Sequence, residues 1–259
     1  MGKLYKIKKH QFGLSVGNLS VTGLLLVFAF LMCFVPQRVS AQVCATALRF
    51  QNPTLISGTD KQVGAQYRFD DVFFGVDATV TLTALNDASV NTVDDDSPGT
   101  GYLRAFQPNV SITDSDGYAE WTVTFKRANT TSDFNFACVT VSGIDIDGPE
   151  FHMTRDYTSY QTHTPTDLSV SPNTPTPWAF VENNTGNEYT GINVNSLSGI
   201  VQFNFINRTS VVWRTGASND VNGRQFSIFL IRLCNALILR VRAVSARIKF
   251  IADQPTPQY

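Results

Sequence analysis

Histidine is scarce in this 259-residue chain, and the motifs of common catalytic sites are absent from it. The chain has three histidines, and His152 and His163 are the two that follow residue 41. Neither belongs to a nucleophile motif or has a third partner at zinc-site spacing, and no Gly-x-Ser-x-Gly, His-Glu-x-x-His or phosphate-binding loop occurs. We therefore expect a protein without enzymatic activity.

Long hydrophobic runs are also absent. Residues 24–35 form an apolar run of 12, which is short of the roughly 20 residues that a membrane-spanning helix needs. A lysine-rich leader precedes the run, and small residues at 39 and 41 follow it, so residues 1–41 are predicted to be a secretory signal peptide cleaved before Gln42. The alternative, a lipoprotein anchored through Cys33, lacks the small residues expected before that cysteine. The mature chain is expected to be secreted or held at the cell surface, without a transmembrane span.

Basic residues are few in the body of the chain. Without residues 1–41 the chain has 15 Lys and Arg against 21 Asp and Glu. Residues 42–223 contain 9 basic and 20 acidic side chains, whereas residues 224–259 contain 6 basic and 1 acidic. Such an acidic body repels nucleic acid and anionic membranes, and it suits cations.

Cysteine is limited to three residues in the mature chain: Cys44, Cys138 and Cys234. In an oxidising compartment this number predicts one disulfide and one remaining thiol. A Cys44–Cys138 bridge is the candidate, and a pair of buried free thiols is the alternative.

Alternation of apolar and polar residues dominates residues 42–223. In 78–85 ("ATVTLTAL") and 119–126 ("AEWTVTFK") every second residue is apolar, as in strands with one buried and one solvated face. No sustained helical stripe interrupts the pattern. Residues 42–231 are therefore predicted to form an all-β domain, an antiparallel β-sandwich of jelly-roll or immunoglobulin-like kind. Further strands are expected near 67–74, 102–112, 134–144, 199–206 and 210–215.

Two segments depart from this pattern. Residues 163–177 are rich in proline, serine and threonine and are interpreted as a long surface loop of one domain, with an interdomain linker as the alternative. The basic C-terminal segment, 232–259, fits either a helix or strands. We expect it to add little to the fold, and Arg232 and Arg240 argue against a membrane span there.

Acidic clusters are the main candidates for a binding site. Residues 93–97, 113–120 and 143–150 each place carboxylates close together beside turn-forming residues, and the last two share an Asp-x-Asp-Gly pattern. Calcium takes six to eight oxygen ligands, and glycine permits the sharp turn that brings alternate carboxylates together. The alternative is an ordinary solvated β-turn.

The strongest calcium candidate follows the predicted strand near 134–144. Asp145, Asp147 and Glu150 surround Gly148 there, and we predict that they bind one Ca²⁺ ion. The possible additional ligands from neighbouring loops are Asp94, Asp96, Asp114 and Asp116.

Three stretches resemble a recurrent module of large exported surface proteins of Bacteroidetes-type bacteria. They are "AEWTVTFKRANTTSDFNFACVTVSGIDIDG" (119–148), "FHMTRDYTSY" (151–160) and "GINVNSLSGIVQFNFINRTSVVWRTGASN" (191–219). Such proteins are often described as adhesin-like or gliding-associated. The resemblance covers about residues 70–230, implies a β-sandwich at the cell surface, and brings no catalytic residue with it. After Phe229 this chain turns basic, where the family continues into further modules or a sorting domain.

These features predict an exported, non-enzymatic surface or matrix module for adhesion or binding. Its expected partners are carbohydrate or other surface proteins, and not nucleic acid. The alternative is a secreted carbohydrate-binding module, in which Trp178 stacks on a sugar ring. A further alternative is a carbohydrate-active enzyme on a jelly-roll fold, with Glu120 and Glu150 as its carboxylate pair.

Overall fold

The computed structural model describes residues 44–45, 48–95, 104–172, 177–189, 191, 196–229 and 242–243. The chain separates into two units, 1–41 and 42–259, and the description below concerns the second. The predicted signal peptide, Asp96 and most of the basic tail lie outside the described residues. The part of the chain that the structure describes contains no helix that could span a membrane.

Regular structure in the described residues is almost entirely β-strand. A 3-10 turn at Leu197–Gly199 is the exception. The strands are β1 (Cys44–Ala45), β2 (Thr54–Ser57), β3 (Gln66–Phe73), β4 (Val76–Asn86), β5 (Ala88–Thr92), β6 (Asn109–Ile112), β7 (Gly117–Arg127), β8 (Phe136–Ile144), β9 (Glu150–Arg155), β10 (Ser159–Thr162), β11 (Leu168–Pro172), β12 (Trp178–Asn183), β13 (Val201–Arg208), β14 (Ser210–Ala217), β15 (Val221–Gln225), β16 (Ser227–Phe229) and β17 (Arg242–Ala243).

The strands form two large sheets and one small sheet. The eight-stranded sheet has the order β11-β12-β9-β14-β7-β4-β3-β2 and is antiparallel. The six-stranded sheet has the order β1-β8-β13-β10-β17, and β16 also pairs with β8. In this sheet β1 and β8 are parallel and the other pairs are antiparallel. The small sheet has the order β15-β6-β5. The predicted all-β sandwich is confirmed.

Side-chain alternation gives β4 and β7 of the eight-stranded sheet one apolar face and one polar face. In β7 the apolar residues Ala119, Trp121, Val123 and Phe125 are buried, and the residues between them are half-exposed. β4 follows the same pattern over most of its length. Successive strand residues point to opposite faces, and burying apolar surface stabilises the fold by about 25 cal/mol per Å². The apolar face therefore faces the core, and the polar face meets solvent.

Aromatic side chains join the two large sheets across the core. The rings of Phe125 in β7 and Phe136 in β8 lie 4.8 Å apart between centroids, in an edge-to-face arrangement. Phe203 in β13 and Trp213 in β14 make a similar contact at 5.7 Å. Edge-to-face geometry matches the charge distribution of aromatic rings, so these contacts fix how the sheets pack.

The two unusual segments contribute strands to these sheets. β11, within the proline-rich stretch 163–177, pairs with β12 and ends the eight-stranded sheet. Residues 168–172 of this stretch thus form an edge strand and not a loop. β17, within the basic tail, pairs with β10. The described part of the tail is thus an edge strand of two residues. That the tail adds little to the fold stays a prediction.

Candidate functional site

A sharp turn between β8 and β9 brings three carboxylates together. Val139 and Val141 are buried in β8, and the strand ends at Ile144. The backbone then takes left-handed conformations at Asp145 (φ 58°) and at Gly148 (φ 51°), which Asp and Gly adopt more readily than other residues.

The carboxylates at this turn are buried and not solvated. Asp147 and Glu150 are only 2% and 4% exposed, and Asp145 is also buried. Burying an ionised carboxylate is costly unless it is paired and hydrogen-bonded. The turn therefore needs a cation or protons to balance its charge.

Arg224 in β15 supplies that cation. Its guanidinium group donates hydrogen bonds to Asp147 Oδ1 and Glu150 Oε1. A third bond, 2.7 Å long, reaches Glu188 Oε1. The other oxygen of Asp147 accepts a hydrogen bond from the backbone N–H of Tyr189. The planar fork of arginine suits contacts with several carboxylates at once, so one side chain ties β9, the β8–β9 turn and the loop after β12 to β15.

Burial shifts the proton affinities in this cluster. It raises the pKa of Glu150 from 4.5 to about 8, although Arg224 acts in the opposite direction. Burial also raises the pKa of Asp147, and the Tyr189 N–H and Arg224 partly offset this rise. The cluster therefore holds protons more tightly than exposed carboxylates do.

The cluster lies in a cavity of about 540 Å³, which we call the acidic pocket. Its lining carries four carboxylates and one guanidinium group. The described lining residues are Asp145, Asp147, Glu150, Glu188, Tyr189, Gly191, Gly223, Arg224 and Gln225.

The other predicted calcium ligands do not join this cluster in the described part of the chain. Asp114 and Asp116 are exposed in the β6–β7 turn, and Asp94 is buried, accepting a hydrogen bond from the Gln107 backbone N–H at 2.8 Å. None of these three is among the described residues lining the acidic pocket.

In the acidic pocket, two of the predicted calcium ligands, Asp147 and Glu150, are paired with Arg224. No group of three or more His, Cys, Asp or Glu side chains among the described residues is arranged to hold a metal. Calcium would have to displace the guanidinium group of Arg224 from Asp147 and Glu150. Calcium binding stays a prediction.

The carboxylates named for a glycosidase lie on opposite faces of the eight-stranded sheet. Glu150 is opposite Ala217, which is buried on the core side. Glu120 is opposite Arg214 and forms a 2.7 Å ion pair with it on the outer face. A glycosidase needs its two carboxylates on either side of one bound sugar bond, so this pair does not form such a site.

The two histidines have separate environments. His152 is buried in the core, where its Nδ1 accepts a 3.0 Å hydrogen bond from Trp213 Nε1. Burial lowers the pKa of His152 to about 3, which keeps the ring neutral. His163 is half-exposed before β11. His152 is thus a core residue and not a candidate acid or base in a cleft.

Trp178 is mostly buried on the outer face of the eight-stranded sheet. It is 9% exposed, and the guanidinium carbons of Arg214 and Arg155 lie 3.9 Å and 5.0 Å from its ring centre. Arg214 also lies 4.2 Å from the ring centre of Tyr118. A sugar could stack on Trp178 only by displacing a cation–π contact, and ligand binding by Trp178 stays a prediction.

Cys138 is disulfide-bonded. The parallel pairing of β1 with β8 places Cys44 directly opposite Cys138. This register agrees with the predicted Cys44–Cys138 bridge.

A second site, not identified from the sequence, lies on the outer face of the eight-stranded sheet. It is a groove of about 890 Å³, which we call the threonine groove. Its floor comes from β3, β4 and β7, and its sides come from β2 and the β7–β8 connection. The described lining residues are Ile56, Gln66, Arg68, Asp77, Thr79, Thr81, Thr124, Lys126, Asn129, Thr130 and Thr131.

The sequence did contain a signal for this groove, namely the alternation of apolar and polar residues in β4 and β7. The register places Thr79 opposite Thr124 and Thr81 opposite Thr122. The polar positions of the two strands thus form adjacent rows of hydroxyl groups. The missing information was the register, because a shift of one residue would send these side chains to the other face.

No protein-family model matches this chain, and no curated protein matches it at a significant level.

Proposed function

We propose that the protein is an exported, non-enzymatic module of a surface or matrix system and that it acts by binding. The observation that carries the proposal is the threonine groove, a large polar cavity on the solvent side of the eight-stranded sheet. Ligand pockets commonly measure about 300–1,000 Å³ and orient their ligands with a few polar groups. The predicted signal peptide and the resemblance to surface modules support the same function.

The alternative of a carbohydrate-active enzyme has less support. Glu120 and Glu150 lie on opposite faces of one sheet, and the buried acids of the acidic pocket are engaged by Arg224. His152 lies in the core. These positions favour the binding function over the enzymatic alternative.

A retention assay tests the proposal. The purified mature chain, beginning at Gln42, is applied to surfaces coated with polysaccharides and to surfaces coated with matrix proteins. It is compared with the triple variant Thr79→Val, Thr81→Val, Thr124→Val, which keeps β-branched side chains in the strands. The matched control is Thr162→Val, a half-buried threonine of β10 in the other large sheet.

We expect at least one coating to retain the mature chain and the control, and to retain less of the triple variant. Retention on no coating would contradict the proposed function. Release of sugar fragments from a polysaccharide would instead support the enzymatic alternative.

A further inference from the structure

The floor of the threonine groove presents hydroxyl groups that are not bonded to any of the described residues. Within the described residues, the side chains of Thr79, Thr81 and Thr124 make no hydrogen bond. Each hydroxyl group has one donor and two acceptor lone pairs. The floor can therefore both donate to and accept from a ligand at several neighbouring points.

Side-chain amides extend the same chemistry to the margins of the groove. Gln66 in β3 and Asn129 after β7 carry amide groups that make no hydrogen bond to other described residues. The backbone N–H of Asn129 is used separately, since it donates to Asp77 Oδ2 at 3.0 Å. An amide combines two donors and an acceptor, so the margins also suit a ligand that is rich in hydroxyl groups.

The charged residues of the groove are balanced by partners within the protein. Arg68 forms a 2.5 Å ion pair with Asp70, and Lys126 forms one of the same length with Asp133. The carboxylate of Asp77 accepts hydrogen bonds from the backbone N–H groups of Asp71 and Asn129. An anionic polymer is attracted by unpaired cations, and these pairs argue for an uncharged ligand.

The floor of the groove argues against an extended peptide as the ligand. A peptide that adds a strand bonds to a free sheet edge, whereas the groove floor is formed by strands whose backbone groups pair within the sheet. Among the described lining residues, Ile56 is the one large apolar side chain. The groove thus lacks the apolar pockets that anchor peptide side chains.

From these observations we propose that the threonine groove binds a chain of uncharged sugars. This inference rests on the proposed binding function and specifies its ligand class. Neutral sugars present hydroxyl groups together with small apolar patches, which match the threonine hydroxyls, the threonine methyls and Ile56. From β2 to β7 the site spans three strand spacings, about 14 Å, which suits an oligosaccharide segment and not one sugar ring.

Affinity electrophoresis tests this inference. Native gels contain dextran, mannan, arabinoxylan or a mixed-linkage β-glucan as neutral polysaccharides, and heparin or polygalacturonate as charged ones. We expect at least one neutral polysaccharide to retard the mature chain, with little change between low and high salt. Because the triple variant Thr79→Val, Thr81→Val, Thr124→Val removes hydroxyl groups that would bond to the ligand, it should bind at least about tenfold more weakly. Thr162→Val should bind as the unmodified chain does.

The remaining outcomes distinguish the sugar inference from the proposed binding function. Retardation by none of the neutral polysaccharides, or equal retardation of the triple variant, would overturn the sugar inference. Loss of binding to a matrix protein in the triple variant, without any sugar binding, would overturn it while supporting the proposed binding function. If the triple variant does not fold, the single variants Thr81→Val and Gln66→Leu are to be used, and unchanged binding in both would overturn the inference.

Discussion

The acidic pocket and the threonine groove differ in how the protein treats their polar groups. In the acidic pocket, Arg224 of the same chain pairs with Asp147 and Glu150, and all three side chains are mostly buried. In the threonine groove, Thr79 and Thr81 are half-exposed and make no hydrogen bond within the described residues.

This difference separates polar groups that maintain the fold from polar groups that remain available to a ligand. Buried charges must be satisfied when the chain folds, because leaving one unpaired is costly. Exposed hydroxyl groups are satisfied by water and can exchange water for a ligand. The same comparison predicts which mutations should have the largest effects and which the smallest.

The largest effect is expected from Arg224→Met. The substitution removes the cation from the acidic pocket and leaves Asp147 and Glu150 buried without a guanidinium partner, so we expect the free energy of unfolding to fall by about 3–5 kcal/mol. Chemical denaturation of the mature chain measures this change. The control is Arg68→Met, which breaks an exposed ion pair with Asp70 and should change the midpoint little. Equal midpoints for the two variants would show that the Arg224 cluster does not support the fold.

The second effect is a loss of stability as the pH rises. Burial raises the pKa of Glu150 from 4.5 to about 8, so the folded protein keeps a proton that the unfolded chain releases. The stability associated with that proton is present below pH 4.5 and is lost as the pH rises to about 8. His152 has the opposite effect, since burial lowers its pKa from 6.5 to about 3, but it acts only below pH 6.5.

The interval from pH 6.5 to pH 8 therefore isolates the acidic pocket. If the folded protein retains one proton that the unfolded chain has released, its free energy of unfolding falls by about 2 kcal/mol over this interval. Thermal melts should show a falling midpoint for the unmodified chain and a nearly constant midpoint for Glu150→Gln. A midpoint that rises over this interval, or that falls equally in Glu150→Gln, would contradict the role of Glu150.

A smaller effect links the acidic pocket to the predicted calcium site. Without Arg224 the carboxylates can be neutralised by an external dication, so calcium should raise the melting temperature of Arg224→Met more than that of the unmodified chain. Calcium at ten times its dissociation constant would add about 1.4 kcal/mol. The control adds Asp145→Asn and Asp147→Asn to Arg224→Met and should abolish the difference. Equal calcium shifts with and without Arg224 would place the ion elsewhere.

The smallest effect on stability is expected in the threonine groove. The triple variant Thr79→Val, Thr81→Val, Thr124→Val removes hydroxyl groups that have no partner among the described residues, so its free energy of unfolding should stay within about 0.5 kcal/mol of the unmodified value. Denaturation curves check this expectation. A larger loss would mean that the hydroxyl groups support the fold and do not simply face the solvent.

The sequence predicted the strands that have a clear apolar alternation. The patterns at 78–85 and 119–126 correspond to β4 and β7, which lie side by side in the eight-stranded sheet. β9 was not predicted, although it lies well inside the same sheet. In β9 the inward positions include His152 and Thr154, both buried, and polar residues on the core side hide the alternation.

The sequence placed Asp145, Asp147 and Glu150 in one cluster, and all three line the acidic pocket, but it did not identify Arg224 as the cation that pairs with Asp147 and Glu150. Arg224 lies more than 70 residues beyond them and belongs to a stretch whose basic composition set it apart from the acidic body. Local patterns describe neighbours along the chain, whereas an ion pair depends on which strands the fold brings together. The threonine groove was missed for the same reason, because it exists only once β3, β4 and β7 are in register.

The positions of β13 and β14 constrain how the domain is completed during synthesis. The two strands are consecutive in the chain, with β13 between β8 and β10 in one sheet and β14 between β7 and β9 in the other. Until β13 has been made, to residue 208, and β14, to residue 217, the sheet that each strand joins therefore exists as two separate parts with unpaired inner edges. Unpaired strand edges promote aggregation, and pairing of distant segments is slow. A ribosome-bound chain that lacks these two strands should need a chaperone at those edges, and the addition of β13 and β14 joins the parts of both sheets.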